Sequence, residues 1–319
     1  MKTPPRRYAD TFFLVGPTAV GKSSLAQWIA EHLDYDILSA DSMLMYKGMD
    51  IGTAKPGAAA RARVRYYGID LMSPDEPFSV WAYSRYARDV LAKGAKTARK
   101  VIVVGGTGLY IKSLTDGLSS IPGPDPLLRE YWTHELKKQG VGALQEALRR
   151  KNTGLYRSLK DKQNPRRLIR ALEMAEKGRG ECEKTWKERS THVPLAGMTL
   201  PNDQLKSRIE SRVTEMYRHG FVEEVEDLLK RYTTLSPTAR QGIGYAEVMD
   251  LLDGRCTRTE AIARTITRSR QLAKRQRTWF RNQANVEWIE VDMGMEMGRM
   301  AKMVMDHWKK YGPTRIDNY

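Results

Sequence analysis

A glycine-rich octapeptide, Gly16-Pro17-Thr18-Ala19-Val20-Gly21-Lys22-Ser23, is the stretch whose residue types most directly imply chemistry. It matches G-x-x-x-x-G-K-[ST], in which backbone N–H groups turn inward around phosphates. The helix that follows adds partial positive charge at its start. Lys22 is expected to supply a mobile full charge for terminal phosphates, and the Ser23 hydroxyl a ligand for Mg²⁺. The loop therefore binds a di- or triphosphate, without saying which. Asp41-Ser42 is a second candidate, with the carboxylate serving either as a catalytic base or as a water-mediated support for Mg²⁺. Thr107, in Gly105-Gly106-Thr107-Gly108-Leu109-Tyr110, is either an active hydroxyl or a turn residue. Arg208 and Arg212 lie four apart on one helix face, and the cluster Arg166, Arg167 and Arg170 sits on another; both read by default as solvated basic faces.

Around these residues the chain alternates strand-like and helix-like stretches. Phe12 to Val15 is an apolar run before the glycine loop, and Ser24 to Leu33 is an amphipathic helix. Tyr35 to Ala40 is a short buried strand that delivers Asp41 to its carboxyl end. Ser79 is a good N-cap for a helix from Val80 to Lys96, and Lys100 to Val104 is a further buried strand. This alternation predicts an α/β fold, a P-loop doubly wound parallel sheet, with ligands at the carboxyl ends of its strands. Pro122, Pro124 and Pro126 then punctuate the chain, and Leu127 to about Gly178 reads as helices alone. We expect residues 1–121 and 190–319 to form the core with its C-terminal helices, and 122–189 a helical insertion. After a returning strand, Val193 to Leu200, helices are expected over Asn202 to His219, Phe221 to Tyr232, Tyr245 to Leu252 and Thr257 to Asn282. A last strand, Val286 to Val291, and a closing helix, Gly294 to Lys310, complete the reading.

With 319 residues and 41% hydrophobic composition, the chain can bury a sizeable core. No apolar stretch is long enough to span a membrane, so no membrane partner is expected. Met1 to Asp10 carries Pro4, Pro5, Arg6 and Arg7 and lacks the apolar run of a secretory signal. Only Cys182 and Cys256 occur, in no metal-ligand spacing, which suits a reducing cytoplasm. A monomer is the simplest expectation. Net charge is +16, and Arg255 to Gln283 holds nine Arg and Lys against Glu260 alone, half of the total excess. Such density suits a polyphosphate backbone, whereas a small-molecule kinase seldom needs it. Trp279 and Phe280 in that stretch suit base stacking or core packing equally.

Several segments together resemble the tRNA dimethylallyltransferases, the isopentenyl transferases that act on an adenine beside the anticodon. They are the glycine loop Gly16 to Ser23 and the run Asp41-Ser42-Met43-Leu44-Met45-Tyr46-Lys47-Gly48-Met49-Asp50-Ile51-Gly52-Thr53-Ala54-Lys55-Pro56. Val104 to Tyr110, Asn164 to Glu173, Gly242-Ile243-Gly244-Tyr245 and Arg270 to Arg281 continue the pattern in the family's order. The resemblance implies that Asp41 is the general base on the adenine's exocyclic amine. Gly16, Pro17, Thr18, Ala19, Val20, Gly21, Lys22 and Ser23 would bind the diphosphate of dimethylallyl diphosphate, with Mg²⁺ on Ser23. Thr107 and Arg212 would act near the reacting carbon and the leaving group. The anticodon stem-loop of tRNA would meet Asp41, Ser42, Met43, Leu44 and Thr107 of one region. It would also meet Arg129, Arg166, Arg167, Leu168, Ile169, Arg170, Gln241, Gly242, Ile243, Gly244, Tyr245 and Ala246. Many relatives carry Gln where Leu44 stands and Thr where Ser23 stands, and the zinc finger of some eukaryotic members is missing. Three other readings remain open beside this one: a small-molecule phosphotransferase, an RNA-binding protein with a relic P-loop, and an enzyme prenylating free adenine nucleotides.

Overall fold

Short runs of Val, Ile, Leu and Phe, bounded by glycine or polar residues, build one sheet. In the computed structural model, which describes residues 7–118, 125–177 and 193–316, its strands are Thr11–Val15 (β1), Asp36–Ser39 (β2), Tyr66–Tyr67 (β3), Val101–Gly105 (β4), Leu195–Thr199 (β5) and Val286–Glu290 (β6). Their order is β3-β2-β4-β1-β5-β6 and every pairing is parallel. The predicted doubly wound α/β sheet is therefore the observed one. Alternate residues of each strand are buried on opposite faces, as a parallel sheet covered on both sides requires. Phe12, Leu14, Ile37, Ile102, Val104 and Met198 join one core cluster. Phe13, Val15, Leu38, Val101, Val103 and Leu195 join the other.

The helices, in chain order, begin with Lys22–Leu33 (α1), Ala58–Arg63 (α2), Val80–Lys96 (α3) and Gly108–Thr115 (α4). Pro126–Lys151 (α5), Thr153–Ser158 (α6) and Pro165–Glu176 (α7) follow. Asn202–Arg218 (α8), Phe221–Arg231 (α9), Pro237–Arg240 (α10), Tyr245–Leu252 (α11), Arg258–Gln283 (α12) and Met297–Tyr311 (α13) complete the set. Side chains cap several of them, Ser79 as expected. Ser79 Oγ accepts the Ala82 N–H at 3.2 Å at the start of α3, and Asn164 Oδ1 accepts the Arg166 N–H at 3.1 Å at the start of α7. Thr257 and Glu260 form a capping box on α12. Glu260, the one acid of the basic stretch, is thus committed to the cap.

Two compact units result, one formed by residues 1–117 with 189–319 and the other by 118–188. The second unit has its own small core of Trp132, Leu144, Leu148, Leu168, Ile169 and Leu172. Its long helix α5 is interrupted at Gly140, whose φ of 77° is available to glycine at little cost. Pro122, Pro124, Gly178, Cys182 and the first six residues lie outside the described residues, and Cys256 is a half-buried free thiol. Among the described residues no helix is long and apolar enough to cross a membrane.

Candidate active site at the carboxyl edge of the sheet

Four chain segments converge where β1, β2, β4 and β5 end, because parallel strands all deliver their following loops to the same edge. After β1, the glycine loop turns through Gly21 at φ 99° directly into α1. α1 begins at Lys22 rather than at Ser24, so Lys22 and Ser23 both lie in its first turn. The expected mobile charge is in fact buried: Lys22 is 8% exposed, and its Nζ donates to the Pro17 carbonyl at 2.6 Å. Burial pushes the Lys22 ammonium down to about 7; the Asp41 carboxylate partly offsets this and Arg212 adds to it. A buried lysine without a paired anion sheds its proton readily, so near neutrality its charge depends on what enters the loop.

After β5, α8 carries two arginines to the same loop. Arg212 Nη1 donates to Thr18 Oγ1 at 3.1 Å, and its Nη2 reaches the Thr53 carbonyl at 3.4 Å. Burial lowers the Arg212 guanidinium from its usual value, Asp41 opposes that fall, and Arg208 deepens it. Arg208 places its guanidinium about one van der Waals contact, 3.4 Å, from where a Cβ on Gly21 would stand. The pair predicted as a solvated face is therefore a cationic wall beside the glycine loop. The i, i+4 spacing was correct, but only the docking of α8 decides which way that face points.

Opposite this wall, Asp41 leaves β2 and is half-buried. Its Oδ1 accepts the Met43 N–H at 2.9 Å, a local turn that fixes the carboxylate. Thr107, at the end of β4, accepts the Ser42 N–H on its Oγ1 at 3.2 Å, and its own N–H donates to Ala40 O at 3.2 Å. Asp41 and Thr107 thus come together through backbone bonds of neighbouring strands. Tyr110, stacked on Tyr83 with ring centroids 4.0 Å apart, lies close by; burial, with Tyr46 and Asp41 adding, raises its hydroxyl well above the usual range. Tyr110 escaped the sequence reading because a tyrosine in the first turn of a helix carries no spacing signal.

The loop from Ser42 to Leu44 meets the turn from Gln241 to Ala246, since a Cβ on Gly242 would stand 2.7 Å from Met43 Cε. Within that turn Tyr245 is not a surface residue. It is 1% exposed, and its hydroxyl donates to Glu224 Oε1 at 2.6 Å, while the other Glu224 oxygen accepts the Asp50 N–H at 2.9 Å and the Ile51 N–H at 2.6 Å. The long motif from Met43 to Pro56 is held in place by this carboxylate.

In the helical unit, Leu168 and Ile169 fill the small core, so their side chains are unavailable to a partner. That correction follows from the apolar face of α7, which must bury itself against α5. Arg166, Arg167 and Arg129 are all exposed; Arg129 also forms a two-pronged ion pair with the buried Glu173, at 2.8 and 3.1 Å, that Arg170 joins at 2.9 Å.

The basic helix α12 also differs from expectation. Arg268 pairs with Glu247, and Arg264 lies 3.6 Å from Asp250, both acids of α11. Arg270 pairs with Glu210 of α8. Counting acids along the stretch overlooked those on helices packed beside it. Lys274 and Arg275 remain exposed with no acidic partner among the described residues. Phe280 is fully buried, and Trp279 packs over Gly108, where a Cβ would stand 2.1 Å from its ring. Both aromatics are packing residues in this fold.

The sequence profile described as IPP transferase matches residues 44–283, which is most of the chain. The chain belongs to that family. Its relatives include a tRNA dimethylallyltransferase of Corynebacterium jeikeium, 37% identical over 283 residues, 88% of this chain and 91% of the relative. One from Geobacter sulfurreducens is 38% identical over 280 residues, 86% and 90% of the two chains. Among solved structures, the tRNA isopentenylpyrophosphate transferase of Bacillus halodurans superposes with a TM-score of 0.68 at 32% identity, covering 95% of this chain and 97% of that one. A eukaryotic dimethylallyltransferase acting on tRNA shares the fold, with a TM-score of 0.72 at 20% identity over 95% of this chain and 77% of its own.

Proposed function

We propose that this sheet edge moves a dimethylallyl group from dimethylallyl diphosphate to the exocyclic amine of an adenine beside the anticodon of tRNA, releasing diphosphate. The observation that carries the reading is the meeting, at one sheet edge, of a carboxylate–hydroxyl pair (Asp41, Thr107) and a cationic cluster made of buried Lys22 in the glycine loop with Arg212 and Arg208 of α8. The amine is a poor nucleophile because its lone pair is delocalised into the ring. Asp41 accepts its proton as the new N–C bond forms and the allylic C–O bond breaks. Lys22, Arg212 and loop N–H groups stabilise the charge that gathers on the departing diphosphate. Thr107 holds the Ser42 backbone, and with it Asp41, against the acceptor.

The residues present fit a magnesium ion carried in by the diphosphate. Ser23 is exposed in the first turn of α1 with its hydroxyl unengaged, and no cluster of three or more His, Cys, Asp or Glu able to hold a metal occurs among the described residues. In a P-loop the Ser or Thr hydroxyl after the lysine is a magnesium ligand, with substrate phosphate oxygens and water as others. When bound, the ion would neutralise part of the diphosphate charge. Ser23 and Lys22, adjacent in the first turn of α1, would then hold the diphosphate end of the substrate together.

For tRNA, the segments Ser42 to Leu44 and Gln241 to Ile243 border the reacting carboxylate, and Arg166 and Arg167 add exposed positive charge on the helical unit. A base in a single-stranded loop leaves its stack at low cost, which suits an anticodon-loop adenine. The setting would be the cytoplasm, with the chain acting as a monomer. To test the reading, the protein is incubated with Mg²⁺, bulk tRNA and labelled dimethylallyl diphosphate, and the RNA is then digested. Prenylated adenosine from the RNA is the expected product; label in free adenine nucleotide and none in RNA would overturn it.

The surface of α12 makes a separate prediction. Lys274 and Arg275, exposed and without an acidic partner among the described residues, are adjacent side chains of that helix able to meet phosphates. Replacing both by Gln should weaken tRNA binding and flatten the log–log salt dependence by roughly one unit for each phosphate no longer neutralised. Dimethylallyl diphosphate binding should be unchanged. Binding isotherms at several salt concentrations decide the matter, and parallel slopes for wild type and variant would place the tRNA grip elsewhere.

A further inference from the structure

The two halves of the site, the carboxylate–hydroxyl pair and the diphosphate clamp, stand on loops after different strands. One side chain ties these loops together, and it comes from neither of them. Gln276, in α12, accepts the Thr18 N–H on Oε1 at 2.7 Å and donates from Nε2 to the Gly106 carbonyl at 3.0 Å. Thr18 is the residue whose hydroxyl receives Arg212, and Gly106 directly precedes Thr107. The amide therefore bridges the loop after β1 to the loop after β4, with the cationic clamp one bond away on one side and the Thr107–Asp41 pair one residue away on the other. The fit is close: a Cβ on Gly106 would stand 2.3 Å from Gln276 Nε2. One turn further along α12, Trp279 closes on Gly108 in the same manner.

An amide supplies the acceptor and the donor that this gap needs at every working pH. A carboxylate would accept from Thr18 but face the Gly106 carbonyl with a lone pair, and a lysine would donate without accepting. We propose that Gln276 is a positioning residue for prenyl transfer, setting the distance between the Asp41–Thr107 side and the P-loop–Arg212 side. This rests on the reading of the sheet edge as the prenyl-transfer site. Such a residue touches neither reacting atom, and its effect falls on the alignment of amine and allylic carbon.

The test uses the full chain and three measurements: transfer of labelled dimethylallyl to tRNA, binding of tRNA and of pyrophosphate, and thermal unfolding. Wild-type transfer is measured first, and its absence would refute the function rather than the role of Gln276. Gln276→Met keeps the side-chain length but loses both bonds. Single-turnover rate should fall by up to about 100-fold, the scale of a ~1 Å misplacement, with tRNA and pyrophosphate affinities and the unfolding midpoint near wild type. A rate equal to wild type overturns the proposal, as does a rate loss matched by the loss of tRNA affinity. Gln276→Glu supplies a readout that a purely structural role would not move. Its carboxylate opposes the Gly106 carbonyl when ionised and donates to it when protonated, so transfer relative to wild type should recover as pH falls from 8 towards 5.5. A variant-to-wild-type ratio that stays flat across that range overturns the proposal.

Discussion

Asp41→Asn should lower the single-turnover rate of prenyl transfer by about 10²–10⁴-fold, the usual worth of a placed general base, while both substrates still bind. The substitution isolates proton transfer from architecture, because Asn keeps the oxygen that accepts the Met43 N–H at 2.9 Å. Thr107 also keeps its bond to the Ser42 N–H. What disappears is a group able to take the amine proton as the N–C bond forms. Rapid-quench measurement with saturating tRNA and labelled dimethylallyl diphosphate reads this directly. Turnover near that of wild type would leave Asp41 as a carboxylate that only steadies Mg²⁺ and Lys22.

Lys22→Met should weaken diphosphate binding by about 10- to 100-fold, in line with the ~1.5–3 kcal/mol of a hydrogen bond to a charged group. It should also change the pH dependence in a stated direction. Free Lys22 titrates near 7, and a bound diphosphate holds it protonated, so above that pH the protein must take up a proton to bind. Pyrophosphate affinity of the wild type should therefore fall as pH rises from 7 to 9 more steeply than that of the variant. Stability moves the other way. Unfolded Lys22 titrates near its ordinary 10.5, so between about 7 and 10.5 the unfolded chain holds the extra proton and the fold gains stability with rising pH. Below about 7 the cost of burying the charge is fully present. Calorimetric titration of pyrophosphate and thermal melts across this range test both slopes, and slopes shared by wild type and variant would remove Lys22 from the role.

The sheet and its helices were legible because local pattern and tertiary demand agree. Buried parallel strands read as near-continuous apolar runs, as Val101 to Gly105 does. Ser79 marks a helix start through a bond to the backbone three residues on. The elements that went unread are the two-residue strand Tyr66–Tyr67, the short helix Ala58–Arg63 with no buried face, Pro237–Arg240, and the helix Gly108–Thr115, whose glycine-rich start reads as a turn. At the site, the glycine loop, Asp41 and Thr107 were legible for the same reason. Each sits at the end of a recognisable strand, and a parallel sheet sends all such ends to one edge.

What the sequence determined by itself was the kind of chemistry and the edge proposed for it, through the spacing of Gly16 to Ser23, the place of Asp41 after its strand, and the resemblance carried by Asp41 to Pro56. What only the tertiary structure decided was the state and direction of the charges. Lys22 carries the same residue code whether it is a solvated ammonium or a buried amine near its titration point, and burial chooses. Arg208 and Arg212 share a helix face in any fold, but the docking of α8 turns that face to the glycine loop. Arg264, Arg268 and Arg270 of the basic helix are met by Asp250, Glu247 and Glu210, acids from two other helices. Gln276 gives no sign of its position, 258 residues from Thr18 and 170 from Gly106. Charge state, side-chain direction and long-range pairing depend on which surfaces meet, and that is a property of packing rather than of spacing.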